Sequence, residues 1–407
     1  MRPVGARKVQ ATMGESESSE AVLVAAVRTP IAKFLGAYKD VPAVDLGAAA
    51  IRRAVETAGL APGDVEYVIM GQVVQAGGGQ NPARQAAARA GLPMTTPAVT
   101  VNKVCLASLN AIALAAQMVR YGEAEVVVAG GMESMSRAPY LADEVRAGHR
   151  LGPLTLRDSL IVDGLWCAFD DVVMGESAEG VHAREGITRQ EQDAWAAESQ
   201  RRAAAATAAR HFAAELVEVA AARTTSVLTA DECIRAETTL ERLSALKPAF
   251  RPDGTITAGN SSSLSDGAAA VIVMSGRRAR AGGHAVLAEI AGHSMVAGPD
   301  PSLHVQPVNA VRRLLDTTGL TRNDIVLFEI NEAFAGVALY AARQLGLDHD
   351  LVNVHGGAVA LGHPLGCTGA RLVVTLVHAL RRRGGGLGVA TLCGGGGQGE
   401  ALLLRVA

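Results

Sequence analysis

At 407 residues the chain exceeds the size at which one hydrophobic core stops growing, so two or more packed units are expected. Apolar residues make up 49% and aromatics only 3%, so alanine, valine, leucine and isoleucine must fill the core, with abundant glycine for close packing of helix on sheet. With 38 basic residues against 40 acidic ones spread along the chain, the net charge is −2, which argues against a nucleic-acid or anionic-membrane surface.

The first twenty residues are polar and unpatterned. Arg2, Arg7 and Lys8 lead into no hydrophobic stretch, so the segment reads as a tail, with Met13 an alternative start. Ile51 to Leu60 is an amphipathic helix ended near Gly59, followed by a polar turn at Asp64 and a buried strand from Tyr67 to Met70. Next come a strand from Val99 to Val104, a helix from Ala107 to Arg120 and a strand from Glu125 to Ala129. From about Ser136 to Leu264 the texture changes: polar turns surround an alanine-rich helix, Arg189 to Phe212, and a lone candidate strand, Val217 to Ala220. This reads as an inserted lobe placed to cover a site. Ala268 to Met274 is then a core strand.

The opening pattern recurs. Val311 to Leu320, Asp324 and the strand Leu327 to Ile330 align with Ile51 onward without a gap, 260 positions later. A strand from Leu351 to Val354, a helix from Ala370 to Arg382 and a strand from Leu387 to Leu392 complete the second copy. Arg381 to Arg383 suit the negative end of that helix's dipole. Both halves are β–α–β in character, and their continuous Val/Ile/Leu runs imply mainly parallel strands buried on both faces.

The cysteines are Cys105, Cys167, Cys233, Cys367 and Cys393, an odd number with no secretory signal, so reduced thiols in a cytoplasmic protein are expected. The absence of a CxxC, an HExxH or a Gly-Lys pair speaks against structural zinc, a zincin site and a phosphate loop. No apolar run is read as reaching membrane-spanning length.

Four stretches carry chemistry. Cys105 falls between a strand and a helix, where the positive end of a helix dipole lowers a thiol's pKa; the bland alternative is an inert buried sulfur. Asn353 to Gly366 frames His363-Pro364 with glycines, as if to present an imidazole closely to another group. Ala390 to Gly399 runs from a strand through Cys393 into five glycines, whose N–H groups suit an oxyanion. Asn331 to Ala335 follows a strand end, where ligands of α/β sheets sit.

These stretches resemble the signature segments of thiolases. The similarity runs from Val22 to Pro30 through to the C-terminus and includes Ala129 to Met135 and Gly254 to Ser262. Beta-ketoacyl synthases share the fold but usually carry histidine or asparagine where Cys393 stands. The resemblance implies a duplicated five-layer αβαβα core with an inserted loop domain. Residues 1–20 would be a flexible tail, 21–135 with 265–286 one core half, 136–264 the inserted CoA-binding domain and 287–407 the other half.

It further implies that Cys105 takes the acyl group, His363 removes its proton, and Cys393 acts as acid and base at the α-carbon of the second thioester. Asn331 would hold a water that, with His363, stabilises the enolate, and backbone N–H groups of Cys105 and Gly395 would serve the acyl-enzyme oxygen. Ser262, Ala333, Phe334, Met174 and Leu165 would line the acyl and pantetheine tunnel, with Arg235 near the nucleotide end of coenzyme A. Val173 stands where many acetoacetyl-CoA thiolases have histidine, and Leu106-Ala107-Ser108 replaces a smaller stretch, so the acyl pocket is expected to differ in shape. Cys367 is read as packing. The activity implied is acetyl-CoA C-acetyltransferase, with a 3-oxoacyl-CoA thiolase of longer chain preference as the alternative. Acetyl-CoA, acetoacetyl-CoA and CoA would be substrates, with no cofactor and no metal, in a cytoplasmic homotetramer or dimer.

Overall fold

The computed structural model describes residues 20–219 and 227–407. The tail expected before Glu20 therefore lies outside the described residues, apart from Glu20 itself. The principal strands are β1 (Ala21–Arg28), β2 (Tyr67–Gly71), β3 (Ala98–Val101), β4 (Val126–Ser134), β5 (Ser265–Ser275), β6 (Ala288–Ala297), β7 (Ile325–Ile330), β8 (Gly386–Gly394) and β9 (Gln398–Val406). They lie side by side in the order β3, β2, β4, β5, β1, β6, β9, β8, β7. Pairing is parallel between β2 and its neighbours β3 and β4, and between β7 and β8; the five pairs nearer the middle are antiparallel, so the expectation of mainly parallel strands fails, because antiparallel strands buried on both faces read as the same continuous apolar runs.

The order is nearly the same from either end: β2 answers to β7, β4 to β8, β5 to β9 and β1 to β6. The counterpart of β3 is reduced to one bridge between Phe328 and Val352, where a strand from Leu351 to Val354 was expected. The reason is Asn353. Its φ of 47° turns the chain out of extended geometry, and its side chain takes over the ladder, accepting from Ile330 N and donating to Ile330 O, each at 2.8 Å.

The principal helices are α1 (Ala43–Thr57), α2 (Ala107–Tyr121), α3 (Arg189–Ala208), α4 (Val305–Thr318), α5 (Ala335–Leu345) and α6 (Thr368–Arg383). Three apolar cores separate the layers. Ile51 of α1 packs with Val128 and Ile272; Leu109 of α2 and Leu372 of α6 share a central core with Val271 and Leu402; Val311 of α4 and Leu339 of α5 pack with Phe328. Along β5, Ala268, Ala270 and Ile272 face the first core while Ala269, Val271 and Val273 face the second. A strand buried on both faces shows no alternation in its sequence, which is why these runs read as continuously apolar. The result is the αβαβα stack. Val104–Tyr121, the one window among the described residues that is apolar and long enough by composition to span a bilayer, is α2 with its preceding turn, in the central layer.

β4 runs five residues past its expected end at Ala129. Gly130 and Gly131 lie inside the strand, where a Cβ on Gly130 would collide with the Ala269 carbonyl and one on Gly131 with the Gly366 carbonyl, so only glycine fits both places. In the inserted lobe, α3 opens with a Thr188–Glu191 capping box and stops four residues before Phe212. The expected strand from Val217 is a single hydrogen bond from Val217 N to Arg28 O at 2.8 Å, and Ala220 lies outside the described residues. Arg28 is fully buried and fastens the lobe to β1. Its Nε donates to Glu215 at 2.7 Å and its two terminal nitrogens to Asp231 at 2.7 and 2.9 Å, with the guanidinium over the Phe212 ring.

Candidate active site

β3 ends at Val101 and α2 begins at Ala107, so five residues must change the chain's direction. Val104 takes a φ of 50°, a sparsely allowed shape for a β-branched residue. The turn is held locally: Asn102 Oδ1 accepts from Val104 N at 3.0 Å, and the N–H groups of Leu106 and Ala107 donate to the Lys103 and Val104 carbonyls at 3.2 and 3.0 Å. It places Cys105 at the N-terminus of α2, half-buried, while Cys167, Cys233, Cys367 and Cys393 are buried.

Backbone N–H groups of Gly395 and of Cys105 itself point at the Cys105 sulfur. The expectation of a lowered thiol pKa nevertheless fails. Burial pushes it up to about 12, and the two backbone donors only partly oppose that, because removing a compact thiolate from water outweighs the helix terminus. A thiolate at Cys105 would therefore need a base to form it.

That base is available across the cavity. Nδ1 of His363 lies 2.6 Å from Thr368 Oγ1, whose hydroxyl donates to Pro364 O at 2.9 Å. The threonine oxygen is thus the acceptor, which assigns the proton to Nδ1 and leaves a lone pair on Nε2. Nε2 faces Asn331 Nδ2 at 3.5 Å. Burial, followed by the charge of Arg371, lowers the His363 pKa to about 3, so the imidazole is neutral at working pH. Asn331 extends from the end of β7, with its backbone N–H on Thr391 O at 3.1 Å, and its Oδ1 is buried without a partner among the described residues.

Cys393 is the penultimate residue of β8, paired across the sheet with Gly399. Burial raises its pKa well above the usual thiol range, and charge on nearby Cys105 would raise it further. The following glycine lets the Cys105 turn approach: a Cβ on Gly394 would sit 2.8 Å from Leu106 Cγ. Cys105, His363, Cys393 and Gly395 line one cavity of about 110 Å³, together with Ser262, Ala333, Phe334, Met174 and Leu165. Asn331 reaches it through His363. Arg235 does not: it is exposed on a loop beyond α3, its backbone N–H bonded to Gln200.

Sequence reasoning passed over the groups that hold these loops in place. The Glu133 carboxylate, fully buried and pushed up to about 7 by that burial, accepts from the N–H groups of Val73, Val74 and Gly366 at 3.0, 3.2 and 2.9 Å. Glu332 accepts from Trp195, Ser199, Asn353 and Val359 at 2.8 to 3.0 Å and so ties α3 to the loop before His363. Thr368 had a signal: a hydroxyl five residues after a glycine-framed histidine. The two glutamates had none, since their partners are scattered along the chain.

Fold and facing thiols together define an acyltransferase of the duplicated αβαβα class. Residues 21–277 match the family model described as thiolase, N-terminal domain, and residues 284–406 the one described as thiolase, C-terminal domain. The chain belongs to the thiolase family. It is 51% identical over 389 residues to an acetyl-CoA acetyltransferase of Pseudomonas aeruginosa, covering 95% of this chain and 99% of that one. An Escherichia coli protein of the same name is 48% identical over 387 residues, covering 94% and 98%. Among solved structures, the Bacillus anthracis acetyl-CoA acetyltransferase superposes with a TM-score of 0.93 at 40% identity, covering 96% of this chain and all of that one.

Proposed function

We propose that this protein is an acetyl-CoA C-acetyltransferase that condenses two acetyl-CoA molecules to acetoacetyl-CoA and CoA, or runs the reverse thiolysis. The observation that carries the reading is the convergence of two thiols and the lone pair of a neutral imidazole on one small apolar cavity. In the first half-reaction His363 Nε2 takes the Cys105 proton as the sulfur attacks the thioester carbonyl, and Cys393 gives its proton to the departing CoA sulfur. The resulting Cys393 thiolate, strongly basic because it is buried, removes the α-proton of the second acetyl-CoA. The enolate attacks the acetyl carbonyl, and the Cys105 sulfur leaves, regaining its proton from the His363 imidazolium.

N–H groups of Cys105 and Gly395 would serve the acyl oxygen, and His363 with Asn331 the enolate oxygen. Ser262, Ala333, Phe334, Met174 and Leu165 would contact the acyl and pantetheine portions, and Arg235 the nucleotide end. A cavity of about 110 Å³ walled by Leu165, Leu303 and Phe334 supports a short acyl group. The names of the relatives support the same choice, and five unpaired cysteines suit a cytoplasmic enzyme, taken here as a homo-oligomer.

The test is intact-mass analysis after incubation with acetyl-CoA, comparing wild type with Cys105→Ala, alongside thiolysis of acetoacetyl-CoA and of a longer 3-oxoacyl-CoA. One acetyl group confined to wild type, with faster turnover of the short substrate, is expected. Preference for the long substrate would reject the assignment of acetoacetyl-CoA.

A further inference from the structure

Lys103 stands one residue before the strained Val104, and its ammonium turns inward. It forms an ion pair with Glu400, a fully buried carboxylate, and lies 3.1 Å from Met295 Sδ. Asn110 of α2 donates to the same carboxylate oxygen at 2.8 Å, and His293 Nε2 of β6 is 3.9 Å away. Glu400 belongs to β9, where it pairs with Leu392 while its neighbour Gly399 pairs with Cys393. The ion pair thus joins the turn presenting Cys105 to the two strands presenting Cys393.

Two arguments give this pair a role beyond filling space. Desolvating the Glu400 carboxylate is costly, and an apolar residue of similar volume would serve stability as well or better, so a charge buried there against a part-buried lysine is best explained by the register the pair imposes. Backbone strain of the Val104 kind also persists only where its surroundings over-determine it. Within its own half the turn is held by hydrogen bonds inside residues 102–107 and by Asn102 Nδ2 donating to Val73 O at 3.3 Å; the Lys103–Glu400 pair adds a side-chain tie to the opposite half, beside the Gly395 N–H at the Cys105 sulfur.

We propose that Lys103 and Glu400 are positioning residues for acyl transfer, holding the Cys105 turn in register with the Cys393 strand so that the Cys105 sulfur meets the Gly395 N–H and the His363 imidazole. The proposal rests on the reading of Cys105 as nucleophile. Neither residue exchanges a proton with substrate, so the pair acts through placement alone.

The test uses the full chain as Lys103→Met, Lys103→Arg, Glu400→Gln and the double variant Lys103→Met/Glu400→Gln. Acetylation of Cys105 by acetyl-CoA is timed by rapid quenching and intact mass, beside kcat, KM and the thermal unfolding midpoint. Lys103→Met is expected to slow acetylation and kcat about 10- to 100-fold, the scale of a small misplacement of reacting atoms, with KM little changed. Lys103→Arg keeps most of the rate. The double variant, freed of an unpaired buried carboxylate, regains its unfolding midpoint but not its rate. Should Lys103→Met not fold, Glu400→Gln and the double variant carry the same comparison.

Recovery of rate together with stability in the double variant would make the pair purely structural and overturn the proposal, as would wild-type acetylation in Lys103→Met. A wild-type chain on which acetyl-CoA never labels Cys105 would instead sink the nucleophile assignment itself, and that result is read before any variant is compared.

Discussion

The two copies of the repeated unit agree in backbone and differ in what they place at the ends of matching strands. β4 and β8 are each nine residues long, and Gly386 stands 260 positions after Val126, as Cys393 does after Glu133 and Asn331 after Gly71. In the first copy, Glu133 spends its carboxylate on three backbone N–H groups, one belonging to the loop that carries His363. Gly71 has no room for a side chain, because a Cβ there would lie 2.7 to 2.8 Å from Ser108 N, Ala107 C and Gly366 O. In the second copy the same two places hold a thiol and a carboxamide that serve the cavity. Duplication supplied two equal frames; one set of strand ends braces the histidine loop, and the other carries the groups to which the proposed function assigns chemistry.

If that division is right, substitutions in the second copy should show in rate and those in the first in stability. Cys393→Ala is expected to lower kcat for acetoacetyl-CoA thiolysis about 10³-fold, within the range for a lost acid–base group, while mass spectrometry still finds Cys105 acetylated. Asn331→Ala should cost about 10²-fold in kcat with an unfolding midpoint near wild type. Thr368→Val frees the His363 tautomer and should cost about tenfold, the rate equivalent of one neutral hydrogen bond, whereas Thr368→Ser retains activity.

For the first copy, Glu133→Gln turns an amide toward backbone donors and Gly71→Ala forces overlap. Each should lose about 1–3 kcal/mol in denaturant titrations. A Glu133→Gln protein of wild-type stability that turned over as slowly as Cys393→Ala would break the comparison.

The smallest effect expected is that of mild acid on His363. Its folded pKa of about 3 lies below the ordinary 6.5, so the basic form persists as pH falls. The group's contribution to stability is complete above pH 6.5 and is lost as pH drops toward 3. The pH profile of Cys105 acetylation should accordingly show no acid limb from this histidine near 6.5; a limb there that vanishes in Thr368→Val would contradict the assigned environment.

Much of the architecture was legible because it is written locally. The amphipathic run from Ile51 to Leu60 and its copy from Val311 announce helix, stop and buried strand by periodicity and glycine alone. Cys105, His363 and Cys393 were visible because each sits at a junction between a regular element and a glycine-rich or tightly turned one. What escaped depends on partners far along the chain. The strand from Glu125 was expected to end at Ala129 because nothing nearby reveals that the Ala269 carbonyl lies against Gly130 and the Gly366 carbonyl against Gly131. The thiol pKa of Cys105 was expected to fall because the helix terminus is local, whereas the burial that reverses the shift comes from the assembled walls of the cavity.

Val104 carries a consequence for how such a catalyst can change over generations. Its backbone shape is one that glycine adopts freely, so exchange to glycine would relieve tension at that point. It would also loosen the neighbour of the Cys105 sulfur and remove a wall of the cavity they share. Robustness and turnover therefore pull this one residue in opposite directions, and a lineage selected for sturdiness alone would begin to lose its chemistry here.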